Sequence, residues 1–374
     1  MEPYGRFLSV WRTVAVRDRE IIDGVVHPEH LGPSAELRQA LREWRGSHYW
    51  ADGDGEGRLV LIRCTAAPQK ERWWLHATLF LISFLTVWMG GTVLAGADVV
   101  SHIPLVRDPA LATLALADWV MQLKPGAGLD FAIALMGILL AHELGHYIVA
   151  RRYTINASPP YFLPAPPWIN VIGTFGAFIR LRSPVVDRRQ LMDIGAAGPW
   201  AGFVVALAAL VVGLRHSEVV ADAGVTQQFF AFGEVRFYLG DSLVTSWVRR
   251  LVLGDGTVLM HPLAQAGWFG ILVTMLNLLP LGQLDGGHVV YALVREHQRL
   301  VGLFMWVVLI VLGVDFWGWW VWAGFILLLG GGHIGHPSVL DRHRPLPRSR
   351  RPLGLATVAL LLVTFSPVPF VIVI

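Results

Sequence analysis

Three side chains within five residues carry the chemistry this sequence can do. His142 and His146 flank Glu143 in Ala141-His142-Glu143-Leu144-Gly145-His146-Tyr147. On a helix, residues four apart lie one above the other on the same face, so both imidazoles can reach one metal ion with Glu143 beside them. Zinc would take the two nitrogens, one ion per chain, and Glu143 would take a proton from the water that the ion activates. The only cysteine, Cys64, excludes an intramolecular disulfide framework and a cysteine-rich zinc site. The donors must therefore be His and carboxylate.

The element that must position these groups is an apolar helix. Phe131 to Ala141 is nearly free of polar residues, and Ile148-Val149-Ala150 follows before Arg151-Arg152. An ionisable group inside a spanning helix costs roughly 3 kcal/mol and is rarely kept without a task. The whole chain fits that setting: of 374 residues, 54% are hydrophobic and only 15% charged, and the mean hydropathy is +0.53. These values place it among integral membrane proteins in a lipid bilayer. Several of the 16 tryptophans, such as Trp73, Trp74, Trp317 and Trp320, stand at the ends of apolar runs, as membrane interfaces favour. The net charge of +3 comes from short basic clusters beside apolar segments, a pattern that orients a membrane protein and gives no sign of nucleic-acid binding.

In chain order, residues 1–70 read as a small cytosolic region with a helical stretch at Ser34 to Trp44 and a strand at Arg58 to Arg63. Asp52-Gly-Asp-Gly55 between them reads as a hairpin turn. Residues 71–126 hold a first span, about 73–95, and a re-entrant or interfacial segment, 98–126. A core of 127–300 holds spans at about 128–150, 192–214 and 263–282. It also holds a mixed insertion at 215–261 and a re-entrant, β-hairpin-like segment, Ile172 to Arg180. Residues 301–374 complete a hairpin of spans begun at 299, about 299–314 and 317–332. A basic loop and a last span, about 353–373, follow. The expected fold is an all-α polytopic membrane protein of about seven transmembrane helices, its N-terminus cytoplasmic. With seven spans, the basic clusters at Lys70/Arg72, Arg151 to Arg189, Arg295/Arg299 and Arg342 to Arg351 all fall on one side, and the C-terminus falls on the other.

This topology brings a third ligand to the histidines. The spans at 128–150 and 263–282 run in the same direction, so Asp285 in Asn277-Leu-Leu-Pro-Leu-Gly-Gln-Leu-Asp285-Gly-Gly-His288 reaches a depth comparable with His142 and His146. His, His and carboxylate form a catalytic zinc set with one position left open. Pro280 would break the helix ahead of Asp285, and Gly286-Gly287 would let the chain turn close to the metal. Helix capping is the competing role for Asp285. Asn277 could donate to a substrate carbonyl or pair with another helix. His288 is expected to be structural, and His333, His336 and His343 to lie in a solvated loop.

Taken together, these residues resemble the site-2 protease family of intramembrane zinc metalloproteases. The likeness rests on His142-Glu143-Leu-Gly-His146, the Gly-rich segment from Gly173 to Arg180, and Asn277 to Asp285-Gly, and covers roughly 128–300. It implies zinc on His142, His146 and Asp285, with Glu143 as the base. The implied substrate is a transmembrane helix of another protein, and the implied location is a bacterial inner membrane. A helical substrate must be unwound to be cut, and Gly173, Thr174, Phe175 and Gly176 would offer it a strand edge. Two other readings stand beside this one: an inactive relative that binds membrane helices, and a transporter of metal ions or protons. The oligomeric state is left open.

Overall fold

The computed structural model describes residues 4–16, 19–31, 34–50, 57–65, 70–95, 128–166, 169–220, 228–232, 235–337, 339–341 and 344–373. The expected turn at 52–55 and the expected re-entrant segment at 98–126 lie outside them.

The N-terminal region is a four-stranded antiparallel sheet with one helix on it. Its strands β1 (Leu8–Val16), β2 (Arg19–Val26), β3 (Gly46–Trp50) and β4 (Arg58–Cys64) run in the order β1-β2-β4-β3. Helix α1 (Ala35–Glu43) opens on Ser34, whose hydroxyl accepts from the Leu37 amide. It lays Leu37, Ala40 and Leu41 against Phe7, Leu8, Ile22 and Leu59. The helix and β4 match the sequence reading. The other three strands correct the all-α expectation, because alternating runs such as Arg-Glu-Ile-Ile-Asp-Gly-Val-Val bury one face of a sheet.

Among the described residues, three helices are long and apolar enough to cross a membrane: α2 (Trp73–Leu94), α3 (Leu129–Arg152) and α4 (Arg188–Leu214). Then come α5 (Leu243–Leu253), α6 (Pro262–Leu278), α7 (Asp285–Val294), α8 (Gln298–Leu312), α9 (Gly318–Leu329) and α10 (Arg351–Thr364). Among the described residues, seven full-length spans are therefore not present. Helix α6 and the stretch Gly318–Leu328 are apolar but shorter. The last expected span divides in two: α10 stops at Thr364, and the chain continues as β11 (Phe370–Val373). Pro367 and Pro369 are the reason, since proline lacks the amide a helix needs and drives the residue before it out of helical geometry.

Helices α3, α4 and α6 pack closely because small residues face each other. A Cβ on Gly145 of α3 would lie 2.5 Å from the Ala197 carbonyl oxygen, and one on Gly267 of α6 would lie 2.4 Å from the Leu210 amide nitrogen. Beyond the far end of α4, β7 (Glu218–Val220), β8 (Gln228–Phe232), β9 (Val235–Leu239) and β10 (Thr257–Leu259) join β11 in the order β11-β9-β8-β10-β7. The insertion and the C-terminal strand thus share one sheet and one side of the molecule. The N-terminal sheet meets the opposite helix ends, where Arg19 donates to the Thr154 carbonyl and Val60 and Ile62 pack on Val186.

The hairpin expected near Gly173 is present. β5 (Tyr161–Pro164) pairs antiparallel with β6 (Thr174–Phe178), and Thr86 of α2 donates to the Gly173 carbonyl at 2.7 Å. A Cβ on Gly173 would lie 2.2 Å from the Thr86 carbonyl oxygen, and its φ of +84° is one that glycine adopts freely.

Candidate metal centre

His142 and His146 lie one turn apart on α3, both about 95% buried, with equally buried Glu143 between them in sequence. Their Nε2 atoms are 3.1 Å apart, and each stands 3.2 Å from Asp285 Oδ2. No other cluster of three such donors converges among the described residues. The spacing suits a metal, since four ligands at about 2.0–2.1 Å in tetrahedral geometry stand roughly 3.3 Å from one another.

The donor chemistry makes the same point. His146 Nδ1 lies 2.8 Å from the Ile194 carbonyl, which can only accept, so Nδ1 carries the proton and Nε2 presents a lone pair. That lone pair faces a carboxylate oxygen. Two acceptors at this distance need a cation or a proton between them, and a divalent metal satisfies all three donors together.

Glycines on α4 give the imidazoles their room. A Cβ on Gly198 would lie 2.1 Å from His146 Nε2, and one on Gly202 would lie 3.1 Å from the His142 Cβ. Gly195 does the same for α7, its Cβ position lying 2.9 Å from the His288 Cβ. The sequence marks these glycines as a close-packing face; that they face the ligands follows only from the fold.

Asp285 is delivered by a break in the helix. α6 ends at Leu278, residues 279–284 turn, and Asp285 is the first residue of α7, behind Leu284 as N-cap. Its side chain reaches the imidazoles, so the capping role weighed for it is not the one it takes here. Cβ atoms on Gly286 and Gly287 would lie 1.8 Å from the Leu278 carbonyl oxygen and 2.4 Å from that of Gly282. Only glycine lets α7 back so tightly onto this turn. Asn277, in the last turn of α6, sets its Nδ2 3.4 Å from His142 Nε2.

The hairpin residues divide into two kinds. The Thr174 hydroxyl donates to the Leu163 carbonyl at 2.8 Å and accepts from the Gly176 amide at 3.0 Å, so it is spent inside the hairpin, and Gly173 is spent against α2. Phe175 is 61% exposed, and Gly176, with φ +99°, has open space around it. β6 lies against α3, so the hairpin borders the helix that carries the histidines.

One expectation is overturned nearby. His336 is half-buried, not solvated, and its Nε2 stands 2.7 Å from His288 Nδ1. Burial and the neighbouring imidazole hold His336 down to about 3, so it is neutral. Gln298, which carries no signal in the sequence, is 99% buried at the start of α8 and hydrogen-bonded at both ends of its amide.

Comparison with known proteins agrees with this geometry. Residues 130–312 match Peptidase family M50. Among curated proteins, the "Probable zinc metalloprotease EGY1, chloroplastic" of Arabidopsis thaliana is 36% identical over 170 residues, 44% of this chain and 29% of that protein. EGY2 of the same plant, with the corresponding name, is 30% identical over 239 residues, 61% of this chain and 36% of its own. The rice EGY1 protein (Oryza sativa subsp. japonica) is 31% identical over 278 residues, 68% and 46%. The chain thus spans less than half the length of these relatives. No solved structure matches. Because the matched stretch contains the His142–His146 helix, the break at Pro280 and Asp285, the chain belongs to peptidase family M50, the site-2 protease family of zinc metalloproteases.

Proposed function

We propose that this protein is an intramembrane zinc endopeptidase that hydrolyses peptide bonds within or beside the transmembrane segments of other membrane proteins. The observation that carries the reading is the convergence of His142, His146 and Asp285, with Glu143 alongside, among helices of membrane-spanning length. Zinc held by those three residues would supply a Lewis acid and lower the pKa of water towards 7. Glu143 accepts the proton of the attacking water and passes it to the leaving amine, the work of a buried carboxylate within reach of both. Asn277 donates from Nδ2 to the carbonyl oxygen of the scissile bond as negative charge develops there.

The substrate enters as an extended strand. A peptide bond in a helix is shielded by its own backbone hydrogen bonds, and pairing along β6 at Phe175 and Gly176 replaces them while holding the chain unwound. The side bearing the N-terminal sheet, Arg151-Arg152 and the start of α4 is cytoplasmic, following the basic residues gathered there. The family resemblance favours a bacterial inner membrane, with an organellar membrane as the alternative; the named plant relatives, which are chloroplastic, support the second.

The test is cleavage of a single-span reporter protein by purified wild type beside Glu143→Gln. Loss of cleavage by about 100-fold or more, with zinc retained, is expected for a general base. Equal cleavage by both would remove Glu143 from the mechanism. A zinc-loaded wild type that cuts no tested helix would favour the inactive, helix-binding reading.

A further inference from the structure

The turn that carries Asp285 is not held by packing alone. Leu281, Gly282, Gln283 and Leu284 border a cavity of about 870 Å³, whose far wall is the loop after α9, residues 330–337. Polar tethers cross from that loop and from α8 to the turn. The Gly282 amide donates to the Ile334 carbonyl at 2.8 Å. Gln298 donates from Nε2 to the Pro280 carbonyl at 3.0 Å, and its Oε1 accepts from the His336 amide at 2.8 Å. His336 then meets His288, one turn along α7 from Asp285, at 2.7 Å.

These contacts use groups that have few alternatives. The Pro280 carbonyl lies just past the end of α6, where the helix offers it no amide. Gln298 is 99% buried, so an unpaired amide there would be costly, and both its atoms are committed to the two segments it joins. Gly302, one turn further along α8, keeps the space open: a Cβ on it would lie 3.0 Å from the Pro280 carbonyl oxygen and 3.2 Å from Ile334 Cγ2. The loop bends at Gly331 and Gly332, with φ of +58° and +84°. It also lies beyond residue 312, outside the stretch that matches the family.

We propose that Gln298 and the 330–337 loop, through His336, are positioning elements that set Asp285 at the third corner of the metal site. The proposal rests on the reading of His142, His146 and Asp285 as ligands. The C-terminal segment is then part of the metal centre's support rather than an appendage to it. Neither Gln298 nor His336 is among the three converging donors; both act through Asp285 and the turn that holds it.

The test uses the full-length, detergent-purified protein and measures cobalt(II) affinity by competition with a chelator, following the visible absorption of bound cobalt. Gln298→Leu and His336→Phe should weaken cobalt binding by about 10- to 100-fold, the usual effect of removing a partner that orients a ligand. They should also alter the cobalt spectrum. His336→Gln, whose amide nitrogen can reach the place of Nε2, should restore both, and its melting temperature without metal should match that of wild type. If Gln298→Leu does not fold, the pair of His336 variants carries the test. Wild-type affinity and spectrum in His336→Phe would overturn the proposal. Asp285→Asn, measured alongside, separates the two ideas: if it too binds cobalt like wild type, the ligand reading itself has failed.

Discussion

Gly198 of α4 lies against the imidazole of His146 so closely that a methyl group on it would stand 2.1 Å from Nε2. That atom is one of the three that face the metal position, so the glycine shapes the site without offering it a donor. Gly198→Ala should displace His146 and lower zinc content well below one per chain, with cleavage lost in parallel. Gly137→Ala on α3, where an added Cβ meets nothing within 4 Å, should leave both at wild-type values. Metal analysis of the two variants checks this, and normal zinc in Gly198→Ala would contradict the close contact.

The hairpin makes a separate prediction, because its exposed residues lie outside the metal set. Phe175→Pro removes a backbone amide from β6 and should reduce cleavage of the reporter at least 10-fold while zinc content stays normal. Undiminished cleavage would rule out strand pairing there. Thr174 is a poorer choice for this test, since its hydroxyl holds the hairpin together.

Glu71, just before α2, is bonded by both terminal nitrogens of Arg182, just beyond β6, and this lowers its carboxyl below the ordinary glutamate value. A carboxylate whose pKa is lower in the folded state adds stability above its unfolded pKa, about 4.3, and that stability is lost as pH falls through the folded value. Arg182→Ala should therefore melt below wild type at pH 7, and the gap should close below about pH 4. A gap that is constant from neutral to acid pH would mean the pair is not the cause.

The N-terminal sheet is fastened to the core through a small polar cluster. Tyr49 donates to Asp341 at 2.9 Å, the Arg344 guanidinium lies 3.6 Å above the Tyr49 ring, and Arg344 also pairs with Asp187, which caps α4. Tyr49→Phe keeps the stacking and should cost about 1 kcal/mol. Arg344→Ala strands a buried carboxylate and should cost about 2 kcal/mol, less than the ~3–5 kcal/mol of a fully buried pair, because Arg344 keeps 19% of its side-chain surface exposed. Chemical unfolding of the two variants measures both, and an Arg344→Ala cost no larger than that of Tyr49→Phe would contradict the ranking.

The metal site could be read from the sequence because its parts are local. His142, Glu143 and His146 are spaced by one helical turn, and Pro280 and Asp285-Gly286-Gly287 announce a broken helix in their own few residues. Distant partners leave no such trace. Gln298 is a single glutamine whose two bonds reach 18 and 38 residues along the chain. His336 read as a loop residue because nothing near it in sequence shows that it meets His288. The last segment misled for a different reason: Leu353 to Val373 has the composition of a spanning helix, but Pro367 and Pro369 end the helix and the final residues pair with β9 as a strand. The N-terminal strands suffer the same ambiguity, since a short alternating run acquires meaning only from the strand beside it.

The central claim is that His142, His146 and Asp285 hold one zinc ion, and zinc stoichiometry of the purified protein tests it most directly. Wild type and Glu143→Gln should each carry about one zinc per chain, and His142→Ala, His146→Ala and Asp285→Asn should each carry far less. Zinc content unchanged by all three ligand substitutions, or no zinc in wild type, would contradict the account.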